Sequence, residues 1–148
     1  MGGHPDMSHV NGVGGAFVFS EDPARLAGWY RDKLGLAFEG SEEFGAFYQV
    51  FWGLDPDNPA NRLDTTFAIM RARKPMPSRD TEEEPDDMYG DQPFMLNLRV
   101  NDLDALLDDL KQQGIEAIKR EDEEYGHFAW IRDADGNRLE LYQPVHAG

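Results

Sequence analysis

The chain contains no cysteine, no long apolar run and few basic residues, and each of these shortages excludes a class of function. Without cysteine it cannot form disulfides, use a thiolate nucleophile or build a cysteine-based zinc site. Chains of this kind fit a reducing compartment, so we expect a cytoplasmic protein. No apolar run reaches the roughly 18 residues that a transmembrane helix needs, so we expect no membrane span.

The charge is strongly one-sided, because 29 acidic residues stand against 14 basic ones and give a net charge of −15. Such a surface repels polyanions, so we expect neither nucleic acid nor an anionic membrane as a partner. Much of the acid lies in residues 78–93, "SRDTEEEPDDMYGDQP", which also holds prolines. A run of this composition is typical of a solvated linker.

The first half of the chain reads as a strand, a helix and three further strands. The strand "GGAFVFS" is followed by a helix predicted over residues 23–33, with Asp22 as its N-cap and Gly35 just beyond its end. The runs "LAFEG", "FGAFYQVFWG" and "DTTFAIMRA" then predict three strands.

The second half repeats this order. The strand "PFMLNLRV" precedes a helix predicted over residues 102–113, which has Asp102 as its cap and Gly114 as its stop. Three strand-like runs follow: "IEAIKR", "GHFAWIRD" and "NRLELYQ". The chain is therefore predicted to be an α+β protein made of one β-α-β-β-β module written twice.

These patterns also predict how the chain is divided. We expect a flexible leader over residues 1–13, a single domain over 14–144 and a tail over 145–148. Inside the domain, the first module spans residues 14–72, an acidic linker spans 73–92 and the second module spans 93–144.

The strings "DPARLAGWYRDKLGL" and "DADGNRLELYQP" resemble the glyoxalase/bleomycin resistance protein/dioxygenase proteins, the vicinal oxygen chelate (VOC) superfamily. The resemblance extends from Gly14 to Pro144. It implies that the two modules form one eight-stranded, cup-shaped sheet with the helices outside and a ligand or metal inside. It also implies a homodimer, whose partner copy would cover sheet edges that a monomer leaves open.

Alternation along each strand predicts which side chains face the cup. In the last strand Leu139 and Leu141 would pack under the helices, so their neighbours would point inward. The same reasoning, the repeat and the clustering of aromatic residues predict eight ligand-binding residues: Phe17, Phe19, Asn97, Arg99, Trp130, Arg138, Glu140 and Tyr142. We further expect Arg99 or Arg138 to hold the carboxylate of Glu140.

In metal-dependent members of the family, the ligands come from the first and last strands of each module. Glu140 matches the last of these four positions, and Asp64 is assigned as its counterpart in the first module. The first-strand positions fall at Gly15 and Met95, and neither residue supplies a ligand for a hard divalent ion. We therefore expect no metal centre and no other cofactor. If a divalent metal does bind, Glu140 and Asp64 are its candidate ligands.

The resemblance and the residues together predict a protein that binds a small aromatic or amphipathic molecule in a concave pocket without a metal, with no catalytic residue assigned. One alternative is a metal-dependent enzyme of the same family, acting as a glyoxalase-like lyase or isomerase or as an extradiol-type dioxygenase. A second alternative is a non-catalytic dimeric interaction module whose cup is filled by its own side chains.

Overall fold

The structure is a computed structural model of the chain, and it describes residues 9–77 and 83–145. Most of the predicted leader and the end of the predicted tail lie outside the described residues. The elements follow in this order: β1 (Gly15–Ser20), α1 (Pro23–Leu34), β2 (Glu39–Ser41), β3 (Ala46–Asp55), β4 (Asn58–Arg71), β5 (Leu96–Arg99), α2 (Leu103–Gln112), β6 (Lys119–Glu123), β7 (Gly126–Arg132) and β8 (Arg138–Pro144).

Both helices begin at the aspartates that the sequence marks as caps. The side chain of Asp22 accepts a hydrogen bond from the Arg25 amide at 3.2 Å, and Asp102 accepts one from the Ala105 amide at 3.0 Å. These bonds satisfy donors that have no partner within the helix. The first helix ends at Gly35, whose φ of 74° is a left-handed conformation that glycine adopts without strain.

The strands form two four-stranded sheets with the same topology. Their orders are β1-β4-β3-β2 and β5-β8-β7-β6, and in each sheet the first pair is parallel while the others are antiparallel. The α+β class and the twofold β-α-β-β-β repeat are thus confirmed. The predicted single sheet of eight strands is corrected, because in the described part of the chain no hydrogen-bonded pairing joins β1 to β5.

The two modules share one hydrophobic core between their helices and sheets. It is built from Leu26 and Tyr30 of α1, Leu103 and Leu110 of α2, and buried residues of both sheets such as Ile69, Leu139 and Leu141. Leu96 of β5 and Leu106 of α2 also pack against this core. No described helix has the length and apolar character needed to cross a membrane.

The short outer strands β2 and β6 start later than the sequence indicates. Leu36, Phe38 and Ile115 lie in the connections that follow the helices, and their side chains pack against the core. Their apolar pattern therefore reflects burial of a connecting segment, which periodicity alone does not distinguish from a strand.

Candidate ligand-binding site

One side of the second sheet gathers most of the predicted site residues. We call it the Glu140 face, and it carries Arg138, Glu140 and Tyr142 of β8 beside Arg132, Trp130 and Phe128 of β7. The residues between them, including Leu139 and Leu141, are buried in the core on the opposite side. The alternation read from the sequence is therefore correct for this strand.

A segment of the linker lies across the Glu140 face. We call residues 84–91 the strap. The carboxylate of Glu84 accepts three hydrogen bonds from Arg132, at 2.6, 2.8 and 3.0 Å. Lys119 donates to the main-chain oxygen of Asp86 at 2.8 Å. Met88 is buried. Most of the strap is exposed to solvent, but cationic side chains of the second sheet give the acidic run partners that its composition does not predict.

Among the residues that the structure describes, Glu140 is held by neutral donors and not by an arginine. Its carboxylate accepts hydrogen bonds from the hydroxyl of Tyr89, on the strap, and from the side-chain amide of Asn97 at 2.6 Å. The parallel register sets Asn97 opposite Glu140 and Arg99 opposite Tyr142, which explains why Asn97 is the partner. The predicted pairing with Arg99 or Arg138 is therefore wrong.

Arg138 is turned toward the strap instead. It is only 2% exposed, and its Nη2 donates to the carboxylate of Asp91 and to the main-chain oxygen of Met88. The hydrogen bond from Arg138 holds the pKa of the Asp91 carboxyl below its usual value. The Nε atom of Arg138 is buried and has no hydrogen-bond partner among the described residues.

The aromatic residues of the Glu140 face form a stack. The ring of Phe128 is stacked with those of Trp130 and Tyr142, with centroid distances of 6.4 and 5.1 Å. Tyr89 stands edge-on to Trp130 at 5.9 Å. The indole Nε1 of Trp130 is buried and, like Nε of Arg138, has no acceptor within residues 9–77 and 83–145.

A cavity of about 310 Å³ lies where the edges of the two sheets approach each other. We call it the seam cavity. Its walls come from β1, α1, the two ends of the linker, the residues that lead into β5, and the start of β8. The lining residues are Phe17, Val18, Phe19, Tyr30, Met76, Pro77, Gln92, Pro93, Phe94, Met95, Leu96, Asn137, Arg138 and Leu139.

The eight predicted site residues fall into two groups that share Arg138, and Arg99 lines a different cavity. Phe17 and Phe19 line the seam cavity, whereas Asn97, Trp130, Glu140 and Tyr142 belong to or border the Glu140 face. Arg138 belongs to both groups. Arg99 is exposed and lines a separate, smaller cavity of about 160 Å³ together with Leu34 and Phe51.

The residues at the family's metal positions do not fit a divalent ion. Phe17 and Asn97 occupy equivalent positions in the two modules, since each lies five residues before the N-cap of its helix. Phe17 pairs with Ala68 and Asn97 pairs with Glu140, so Ala68 is the equivalent of Glu140. Asp64 lies four residues earlier, opposite Trp52, and bonds Arg62 on the surface. Its assignment as the counterpart of Glu140 is therefore wrong.

The first-strand positions add no ligand. A side chain at Gly15 would place its Cβ 2.6 Å from the carbonyl oxygen of Thr66, so β1 lies too close to β4 for a ligand there. Met95 offers only a thioether, which hard divalent ions do not favour. Within the described chain, no three His, Cys, Asp or Glu side chains are grouped as metal ligands.

The strap residues are the part of the site that sequence reasoning missed. Tyr89 and Asp91 lie in a segment of low hydrophobicity, and their partners are 51 and 47 residues away along the chain. The one local signal is a pair of large apolar side chains, Met88 and Tyr89, inside an otherwise acidic run. Such a pair indicates a contact but does not identify its partner.

Comparisons with known proteins agree with this architecture. The chain is similar to the structures of TnmS3, an antibiotic binding protein from Streptomyces sp. CB03234 (20% identity, 93% of this chain and 99% of that chain covered, TM-score 0.57), and of TioX from Micromonospora sp. ML1 (14%, 91% and 100%, 0.56). It is also similar to lactoylglutathione lyase from Agrobacterium tumefaciens (11%, 92% and 96%, 0.57). At these identities the likeness shows the fold alone.

No curated protein matches the chain. The family profile does match, over residues 7–141, which is nearly the whole sequence. The chain belongs to the Glyoxalase/Bleomycin resistance protein/Dioxygenase superfamily.

Proposed function

We propose that this protein binds a small, planar aromatic or amphipathic molecule without a metal, and that the molecule lies in the seam cavity with an anionic or carbonyl oxygen directed at Arg138. The observation that carries the proposal is a buried guanidinium at the wall of a largely apolar cavity.

The size and lining of the cavity support a small organic ligand. A volume of about 310 Å³ is near the lower end of the range for small-molecule sites. Phe17, Phe19 and Phe94 supply aromatic surface, and all three are more than 40% exposed. Flat apolar walls of this kind favour a planar ligand, whose faces can stack on the rings.

The environment of Arg138 supports an oxygen ligand. A buried charge is costly unless it is paired and hydrogen-bonded. The Nη2 atom of Arg138 donates to Asp91 and to Met88, whereas Nε has no partner among the described residues. A carboxylate is the group that best matches a guanidinium, because it can accept two parallel hydrogen bonds.

The antibiotic binding protein among the structural neighbours supports the same class of function, since the shared fold can serve for binding alone. The lyase among them and the position of Glu140 favour the second candidate, a metal-dependent enzyme. The lack of further ligands at Gly15, Ala68 and Met95 speaks against that candidate.

The test is a calorimetric titration of chelator-treated protein with 2-naphthoate, a planar aromatic anion. We expect saturable binding at one site per chain. Phe19→Ala should weaken it about tenfold, a change that corresponds to about 1.4 kcal/mol of lost ring contact.

Phe44→Ala is the matched control, because Phe44 is also an exposed phenylalanine, at 67%, but does not line the seam cavity. It should leave the affinity unchanged. Absence of binding by the wild type, or equal losses in the two variants, would contradict the proposal.

A further inference from the structure

The strap occupies the Glu140 face in the way that a ligand would. Its phenol, from Tyr89, meets Glu140 and stands edge-on to Trp130, and its carboxylate, from Asp91, meets the buried guanidinium of Arg138. An aromatic ring, a hydroxyl and an anion are thus presented to one side of a sheet by a segment that belongs to neither module.

The strap is held mainly by polar contacts at an exposed surface. Tyr89 is 54% exposed and the side chain of Asp91 is 45% exposed. Of its eight residues only Met88 is buried. No strap residue belongs to the shared core, so the strap can leave the face without disrupting that core. The arginines that it pairs with are shielded from water, at 1% side-chain exposure for Arg138 and 18% for Arg132, so they need another anion when it leaves.

The strap is also an incomplete occupant. It engages Nη2 of Arg138, but Nε of the same guanidinium and Nε1 of Trp130 are buried without an acceptor among the residues described. Buried donors of this kind are uncommon and costly. A free carboxylate could bind the guanidinium through two oxygens, whereas Asp91 is constrained by its own backbone.

We propose that the strap is an internal competitor for the ligand site, and that the ligand which displaces it is a hydroxyaromatic carboxylate. Its carboxylate takes the place of Asp91 on Arg138, where the seam cavity meets the Glu140 face, and its phenolic hydroxyl takes the place of Tyr89 on Glu140. Its ring therefore lies over the Glu140 face, whereas an aromatic carboxylate without the hydroxyl lies in the seam cavity. This inference rests on the proposed function and adds the class of ligand and its regulation by residues 84–91.

The spacing of the two protein groups fits such a ligand. Glu140 and Arg138 are two residues apart on one strand, so their side chains leave the sheet about 7 Å from each other on the same side. A hydroxyl and a carboxylate at opposite ends of a planar ring system span a similar distance. The seam cavity begins at Arg138 and can accept the rest of a larger molecule.

The test compares 6-hydroxy-2-naphthoate with 2-naphthoate on three proteins: the wild type, a strap variant carrying Tyr89→Phe and Asp91→Asn, and Glu83→Ala. The strap variant keeps the shape of both side chains and removes the phenol and the charge. Glu83 is an exposed carboxylate just before the strap, so its variant controls for the loss of negative charge.

We expect the strap variant to bind 6-hydroxy-2-naphthoate about five- to tenfold more tightly than the wild type, because apparent affinity falls with the fraction of molecules whose site is open. Glu83→Ala should bind like the wild type. The hydroxyl should strengthen binding relative to 2-naphthoate, and Glu140→Gln should remove most of that advantage.

Weaker binding by the strap variant would show that the strap is a lid that helps to hold the ligand. Unchanged binding would show that the strap only packs on the sheet and does not compete with the ligand. Either result overturns the inference and leaves the proposed function standing if 2-naphthoate binds. Absence of binding of both probes to every protein would overturn the proposed function itself. Thermal melting of each variant verifies that it is folded.

Discussion

At the scale of single residues, the partners of Glu140 determine what its carboxylate contributes. Tyr89 and Asn97 are both neutral donors, so no buried cation depends on Glu140 for its charge. A glutamine at this position still offers one oxygen, and its amide group can donate to the hydroxyl of Tyr89. Glu140 is therefore better placed to accept a hydrogen bond from a ligand hydroxyl than to neutralise a buried cation.

We expect Glu140→Gln to lower the free energy of unfolding by only about 1 kcal/mol, the net contribution of a typical hydrogen bond, as measured by urea unfolding. Elemental analysis of the wild type should find divalent metal well below one equivalent per chain, and the substitution should not alter that content.

Asp64→Asn is the matched control, because Asp64 is an exposed carboxylate whose partner, Arg62, is also on the surface. Its unfolding free energy should be nearly unchanged. One equivalent of divalent metal in the wild type, lost in Glu140→Gln, would contradict the metal-free account and favour the enzyme.

At the scale of elements, the close approach of β1 and β4 decides which residues the first strand can carry. The pair is parallel, with Gly15 opposite Thr66, and the Thr66 carbonyl occupies the space in which a side chain of residue 15 would begin. The close approach of the two strands therefore requires glycine at position 15, and it also excludes a metal-ligating side chain there.

Gly15→Ala should therefore lower the free energy of unfolding by roughly 1–3 kcal/mol, as is typical of overpacking. Gly14→Ala is the control, because nothing lies within 4 Å of a Cβ added there, and it should have a much smaller effect. Equal unfolding midpoints for the two variants would show that β1 can move away from β4 at little cost.

The elements also show which parts of the fold local sequence determines. Both helices were predictable because their caps, Asp22 and Asp102, bond amides three residues away. The inward side of β8 was predictable because Leu139 and Leu141 alternate with polar residues. The partner of Glu140 was not, since alternation gives the face of a strand but not its register with the next one.

The strap lay beyond such reasoning for a related physical reason. Its contacts join residues 33 to 51 positions apart, such as Asp86 with Lys119 and Tyr89 with Glu140, and they depend on how the second sheet presents its cations. An acidic run is solvated unless folding provides those cations, and composition alone does not reveal whether it does.

At the scale of the whole molecule, the two sheets differ in what covers them. The strap lies over the second sheet, whereas the β3–β4 hairpin of the first sheet exposes Trp52 and Leu54, at 58% and 59%. Large apolar side chains that are exposed together in a hairpin are typical of an interaction site. A second copy of the chain is the partner that we expect, because the family resemblance implies a homodimer.

We therefore expect a dimer at micromolar concentration by light scattering, and we expect Trp52→Asp to shift it toward monomer. Tyr125→Asp is the control, since Tyr125 is a similarly exposed aromatic residue, at 65%, beside the second sheet. A wild type that is monomeric at that concentration would contradict the dimer and leave the fold and the ligand site unaffected.

The most direct test of the account is a crystal structure of the protein with 6-hydroxy-2-naphthoate. In that structure we expect the naphthoate carboxylate within hydrogen-bonding distance of Arg138, its hydroxyl on Glu140, residues 84–91 displaced and no metal ion between ligand and protein. A ligand bound elsewhere, or a metal coordinated by Glu140 beneath an intact strap, would contradict it.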